Sequence, residues 1–453
     1  MSERLIGRLA QGRVYYGWYI VGAVLAGGIP RVGLNGSFFG IFLKPLSEEF
    51  GWTRAEVALA VTIGTLIAAG LGIYFGRVLD RFGPRWMMAG GFALLAGSYF
   101  GLALVNSLVG FYLVYSVGRA MMQSATGHTL MYALVSKWFV RRRATAISAA
   151  TLGGYLGGIL LAPVTQSIID TASWRHAYVF FGVLTVVMAV VPAVLFLRRI
   201  PEDLGLLPDG DIRETSVPTP ALDPAIRPAS GQIRNDSPTA DIAVPEKERV
   251  NLTLHDALRT PAFWLLTMMV MVTSTAMTAI TFHMVPHFTD VGISNAAAAT
   301  TVSLLTVGSM ASVFVWGVLA DRLSAKLMLL IALVTLEVGA ALVATSTSVF
   351  GAYASSAIFG VGMAGYLLLS EVVWADFFGR RHLGSIRGIT MMFQLAGNAS
   401  GSLIAAFMFD VSGSYDGAFK MILALYAISF AVLAIARRPR LQEQTSTTES
   451  RGT

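Results

Sequence analysis

Cysteine is absent from all 453 residues, so the chain has no disulfide framework and no thiolate nucleophile or ligand. Charge is scarce too: Asp, Glu, Lys and Arg make up 13% of the chain, against roughly 25% in a soluble domain. No Gly-x-x-x-x-Gly-Lys-Ser/Thr loop occurs, which removes ATP as an energy source. The six histidines are scattered without ligand spacing, and no Ser/His/Asp set follows a nucleophile turn. Neither a metal, a cofactor nor an enzyme activity is therefore expected. What fills the chain is apolar: hydrophobic residues are 55% of it. A water-soluble fold could not hide so many long apolar segments, so lipid is the solvent for most of the protein. The net charge of +7 does not point to nucleic acid, because the basic residues sit in short loops between apolar runs.

Runs of about 20 apolar residues suit a bilayer crossing. They fall at 15–42, 55–76, 86–106, 109–135, 143–167, 176–197, 262–286, 297–320, 327–346, 350–374, 386–409 and 416–436. Arg4, Arg8 and Arg13 precede the first run, which continues past signal-peptide length and reads as a retained helix. Alternate loops collect the positive charge: Arg77/Arg81/Arg85, Lys137 with Arg141 to Arg143, Arg198/Arg199, Arg322/Lys326 and Arg380/Arg381/Arg387, with Arg437, Arg438 and Arg440 at the end. The other loops, such as Asn106-Ser107 and Thr345–Ser348, are short and nearly neutral. The lysine/arginine bias places both termini in the cytoplasm of a multi-pass plasma (inner) membrane protein.

The layout is six spans, a gap and six spans. Residues 1–14 form an N-terminal segment, 15–197 a first six-helix bundle, 198–261 a linker, 262–437 a second bundle and 438–453 a tail. Prolines at 201, 208, 218, 220, 224, 228, 238 and 245 erase any helical period in the linker. A short amphipathic piece is expected at Leu252–Leu258.

The halves repeat one another. Gly76–Arg85, GRVLDRFGPR, returns as Gly317–Lys326, GVLADRLSAK, 241 positions on. Lys137-Trp138-Phe139 with its arginines recurs as Asp376-Phe377-Phe378 with Arg380, Arg381 and Arg387. Two landmarks at nearly one spacing imply a duplicated unit threading the membrane the same way twice, with a site between the copies.

With this layout and the Gly-x-x-x-Asp-Arg-x-Gly-x-Arg loop at 76–85, the chain resembles the major facilitator superfamily over essentially its whole length. The resemblance implies an all-α membrane protein with two six-helix bundles. It also implies a gating latch formed by Gly76, Asp80, Arg81, Gly83 and Arg85, echoed by Asp321 and Arg322. Lys137–Gly158, KWFVRRRATAISAATLGGYLGG, and the entry Tyr15-Tyr16-Gly17-Trp18 resemble the monocarboxylate porter and oxalate–formate antiporter branch. Such a branch implies a carrier of small carboxylates. The chain departs from it where helix eight, Thr300–Ala320, lacks any charge, and where helix eleven offers Gln394 and Asn398 instead of a lysine. The glycines of Gly153–Gly158 read as a close-packing surface.

Ionisable groups at membrane depth cost roughly 2.5–3.5 kcal/mol on insertion scales, and so mark candidate sites. Arg31 follows Pro30 in helix one, with Asn35 one turn on. Arg119 lies mid-way in helix four on a stripe with Tyr112, Tyr115 and Gln123. Together Arg31 and Arg119 suggest a carboxylate clamp, with ties to backbone carbonyls the alternative. His283, Tyr366, Gln394 and Asn398 are candidate contacts from the second half. Glu371, His283 and Glu337 are candidate proton carriers, Glu371 otherwise a salt bridge to Arg387 or Arg380. His128 is assigned to packing. The expectation is a monomeric secondary transporter that moves a small organic anion, a monocarboxylate, by alternating access and linked to protons. Anion exchange, export of amphipathic compounds and carboxylate sensing are the alternatives.

Overall fold

The computed structural model describes residues 14–439 except 83, 141, 205, 211–251, 380 and 381. At 72–82, 84, 128, 129, 132, 133, 143, 144, 210 and 321 it describes the backbone alone. Among the described residues all regular structure is helical.

The first half holds α1 (Gly17–Gly28), a 3-10 turn (Pro30–Leu34), α2 (Gly36–Phe50), α3 (Arg54–Phe82), α4 (Pro84–Ala103), α5 (Leu108–Ala120), a π turn (Met121–Ala125), α6 (His128–Trp138), α7 (Arg143–Thr171), α8 (Trp174–Thr185), a second π turn (Val186–Val190) and α9 (Val191–Phe196). After the short α10 (Leu254–Leu258) come α11 (Pro261–Asp290), α12 (Asn295–Arg322), α13 (Ala325–Thr345), α14 (Val349–Phe378), α15 (Leu383–Ser412) and α16 (Asp416–Ile435). Eleven described helical segments are long and apolar enough to cross a membrane. The twelfth expected crossing, 109–135, is not one helix but α5 and α6 joined through the π turn. The cause is local. Thr126 donates its backbone N–H five residues back, to the Met121 carbonyl, at 3.1 Å. A Cβ on Gly127 would lie 2.0 Å from the Gln123 carbonyl oxygen, so only glycine makes this turn.

Several helices outrun the apolar runs. α11, α14 and α15 have 30 residues each, about 45 Å at 1.5 Å per residue, and protrude beyond a hydrocarbon layer of about 30 Å. Polar residues near several of these ends, such as Asp290, Asp376 and Asp410, cut the apolar runs short of the helix ends.

Chain ends near Tyr16 and Ala436 lie on one face, here the terminal face; the loops near Gly51, Asp290 and Ser414 lie on the distal face. Both halves use the last basic residue of the duplicated loop alike. The Arg85 guanidinium donates from Nε and Nη2 to the Val194 carbonyl at 3.1 and 2.7 Å. Lys326 Nζ donates to the Ala434 and Ala436 carbonyls at 2.9 and 2.7 Å. Each cation thus satisfies orphan carbonyls at the end of the last helix of its own bundle. Of the other expected latch residues, Gly83 lies outside the described residues, Gly76 is described in its backbone alone, the side chains of Asp80, Arg81 and Asp321 are not described, and Arg322 is exposed.

Two sequence signatures meet on the terminal face. Tyr15 Oη donates to the Trp138 carbonyl at 3.0 Å. Phe139 packs edge-on against Tyr15 and Trp18, at 5.5 and 5.1 Å between centroids. The linker makes contacts at both of its described ends. Asp209 accepts from the Val140 and Arg142 backbone N–H groups at 2.9 and 3.3 Å. Leu252 N–H donates to the Phe378 carbonyl at 3.0 Å. Residues 1–13, 211–251 and 440–453 lie outside the described residues.

Candidate functional site between the two bundles

Pro30 has no N–H to give to the turn before it, so helix one breaks there. The chain passes through a 3-10 turn, and Asn35 is extended (ψ 142°) before α2 begins. This break holds Arg31 and Asn35 at mid-depth against a cavity of about 410 Å³. The other walls come from α7 (Thr151, Gly154, Tyr155), α12 (Val302, Leu305, Thr306, Ser309) and α14 (Met363, Ala364, Leu367). Two of the four walls thus belong to each half. Arg31 Nη1 approaches Met131 Sδ on α6 at 3.2 Å. Among the described lining residues Arg31 carries the one formal charge.

Small residues let the walls close. A Cβ on Gly153 or Gly157 would lie 1.9 Å from the Leu25 carbonyl or 2.4 Å from that of Ile29, so α7 lies backbone-to-backbone on α1. Gly158 faces Thr306 across the halves, and Ser303 Oγ donates to the Ile159 carbonyl at 2.7 Å. The expected close-packing surface is present, and it extends to the second half.

Arg119 does not join Arg31 in the cavity. It is 7% exposed. Its Nη1 donates to the Leu34 carbonyl and its Nε to Thr65 Oγ1 at 3.2 Å. Tyr115 Oη reaches the same carbonyl at 3.4 Å. The Leu34 carbonyl stands where helix one is broken and lacks a helical partner, so Arg119 braces the break from behind. It steadies the turn that carries Arg31 and does not line the cavity.

The other expected contacts are dispersed. Gln123 lies in the π turn, half-buried, outside the lining. Buried Tyr366 points its hydroxyl toward the Val270 carbonyl, 3.5 Å away. Asn398 Oδ1 accepts from Thr278 at 3.0 Å, and Gln394 lies one turn before it on α15; neither lines the cavity. Buried His283 is engaged at both ring nitrogens, by Tyr415 Oη and by the Ser402 carbonyl, at 2.9 Å each. Glu371 forms a bidentate pair with Arg387 toward the terminal face. Its side chain is 55% exposed against 9% for the arginine. Half-buried Glu337 lies on α13, which packs chiefly on α14 and α16. The side chain of His128 lies outside the described residues.

Sequence reading missed the distal junction between the halves. Arg54, at the start of α3, pairs with Asp290 at 2.7 Å, hydrogen-bonds Tyr415 Oη and lies 3.7 Å over the Phe409 ring. Asp410 accepts from the Arg54 and Ala55 backbone N–H groups at 3.1 and 2.8 Å, so a carboxylate of one half caps a helix of the other. Burial lifts the Tyr415 phenol well above its ordinary pKa against the pull of Arg54. It stays protonated and donates to His283 Nδ1, leaving Nε2–H for the Ser402 carbonyl. Deeper, Thr62 Oγ1 donates to the Ala399 carbonyl at 2.5 Å. No local signal marks these residues, because each is an ordinary helix-end polar group until the halves meet.

A distal cleft of about 500 Å³ includes Lys44, Glu48, Glu49 and Trp174 in its lining. Its charges are largely matched: Lys44 lies 3.9 Å from Asp290, and Glu49 accepts from Arg175 and from Trp174 Nε1. The central cavity remains the candidate site.

Comparison with known proteins agrees with this architecture. Monocarboxylate transporter 12-B of Danio rerio is 25% identical over 413 residues, 88% of this chain and 82% of its own length. The oxalate:formate antiporter of Oxalobacter formigenes is 28% identical over 167 residues, 36% of this chain and 38% of its own. Among solved structures, the nucleoside transporter NupG has a TM-score of 0.67 at 13% identity, over 92% of this chain and 98% of that one. A bacterial homolog of the human lysosomal transporter Spinster, inward-facing and occupied, has a TM-score of 0.64 at 14% identity, over 93% and 96%. At such identity these two likenesses speak for the fold alone. The Major Facilitator Superfamily model matches residues 32–290 and again 265–453. The protein therefore belongs to the Major Facilitator Superfamily.

Proposed function

We propose that the chain is a secondary carrier of a small organic anion, a monocarboxylate, bound by Arg31 and Asn35 in the central cavity. The observation that carries this reading is one guanidinium, held at mid-depth between the halves by a broken helix. A planar guanidinium fork donates to both oxygens of a carboxylate and stays charged in a dry site. The anion offsets that charge in turn, so the loaded cavity closes at lower cost than the empty one.

Alternating access in this reading is a rocking of the two bundles about the cavity. Its support is the position of the described links between halves: Arg54 with Asp290, Asp410 and Tyr415 at the distal face, and Thr62 and Ser303 deeper in. The domain limits 15–197 and 262–437 belong to the same proposal. So do a monomeric state and cytoplasmic termini in the inner membrane, the latter supported by the positive loops.

In the symport form of this reading the proton carrier is Glu371, the most exposed of the three expected carriers and already paired to Arg387. A second reading, anion exchange, draws support from the lining, which among described residues holds no carboxylic acid and no imidazole. Purified protein in liposomes tests the proposal. Uptake of a labelled monocarboxylate should depend on Arg31. An inward proton gradient should accelerate it under symport, and internal anion alone should accelerate it under exchange. Uptake unchanged by Arg31→Gln would end the proposal.

A further inference from the structure

The two halves offer the cavity unlike walls. The first half supplies the cation, Arg31, and the polar side chains of Asn35 and Ser37. The second supplies Val302, Leu305, Met363, Ala364 and Leu367. Its two hydroxyls are already committed: Thr306 Oγ1 donates to the Val302 carbonyl at 2.8 Å, and Ser309 Oγ to the Leu305 and Gly360 carbonyls at 2.9 Å each. A ligand carboxylate set against that wall would find, among the described residues, no uncommitted donor and no cation. Burying an unpaired carboxylate is among the most costly events in a low-dielectric site.

Resting on the proposed anion site, we infer that the preferred substrate is a monocarboxylate with a bulky apolar tail, its head on Arg31 and its tail on α12 and α14. Volume agrees: about 410 Å³ falls in the 300–1,000 Å³ range of pockets that hold drug-sized ligands. A two-carbon acid would leave most of the cavity to water, and a dicarboxylate would bring a second charge that no described lining residue matches. Selectivity in this arrangement has two separable sources, one per half. Arg31 selects for a carboxylate; Met363 and Leu367 select for the tail.

Equilibrium binding to the purified full-length chain in lipid nanodiscs tests this, with 3-phenylpropanoate, its neutral amide 3-phenylpropanamide, acetate and oxalate as probes. The expected result is that 3-phenylpropanoate binds at least tenfold more tightly than acetate, oxalate or the amide. Leu367→Ala and Met363→Ala, in side chains only partly buried at the cavity, should weaken 3-phenylpropanoate several-fold and leave acetate unchanged. Met363→Lys, which places a cation on the apolar wall, should favour oxalate over 3-phenylpropanoate relative to the unaltered chain. Acetate or oxalate binding as tightly as 3-phenylpropanoate would overturn the tail inference and leave the anion site standing. Equal binding of 3-phenylpropanoate and its amide would overturn both.

Discussion

Arg31 and Arg119 have the same side chain and similar depth, yet different tasks. Arg31 faces the cavity, whereas Arg119 donates to the Leu34 carbonyl and Thr65. Substitution should separate them. Arg31→Gln should weaken carboxylate binding by about tenfold or more, since a charge-assisted pair is worth roughly 1.5–3 kcal/mol, and should lower the melting temperature less than Arg119→Gln does. Arg119→Gln should lower thermal stability, because a buried carbonyl left without its donor costs about 1–3 kcal/mol. It should also weaken binding indirectly. Ligand titration and thermal melts of both variants check this; equal stability losses would refute the division. The rarity of charge at membrane depth made both arginines legible in the sequence. Their directions were not, because a side chain's target depends on which backbone carbonyl a neighbouring helix leaves open. His283 follows the same rule: its period placed it on a helix face, and tertiary contacts with Tyr415 and Ser402 decided what that face meets.

At the level of the element, helix breaks do the positioning. The one at Pro30 was readable, since proline after two glycines cannot continue a helix unperturbed. The break at Gly127 was not, because it depends on backbone that folds back onto the Gln123 carbonyl. Small residues show a comparable contrast that can be measured. A methyl on Gly153 would overlap the Leu25 carbonyl at 1.9 Å, whereas one on Gly154 meets nothing within 4 Å. Gly153→Ala should therefore destabilise by about 1–3 kcal/mol, and Gly154→Ala should be nearly neutral or slightly stabilising. Denaturation or melting of the two variants in detergent checks the contrast, and similar values would contradict the close α1–α7 approach.

For the whole molecule, duplication was plain in the chain, and the structure gives it a physical function. Arg85 and Lys326, 241 positions apart, each close the end of their own bundle. The junction between the halves was the illegible part, for Arg54, Asp290, and Asp410 with Tyr415 come from three separate stretches of the chain. Because the natural chain has no cysteine, one introduced cysteine reports cleanly on that junction. Thr62→Cys sits beneath it, beside Ala399. Adding Asp290→Asn and Asp410→Asn should remove the Arg54 pair and the carboxylate cap, and so raise the labelling rate at that cysteine several-fold with a membrane-impermeant maleimide. An unchanged rate would mean that these carboxylates do not hold the distal face closed.

The central claim is that one guanidinium, Arg31, holds a carboxylate between the bundles. The most direct measurement is the dissociation constant of 3-phenylpropanoate for the purified chain and for Arg31→Gln, both shown to be folded. A rise of about tenfold or more in the variant, with the neutral amide binding both proteins equally weakly, is the predicted result. Identical dissociation constants for the carboxylate in the two proteins would contradict the account.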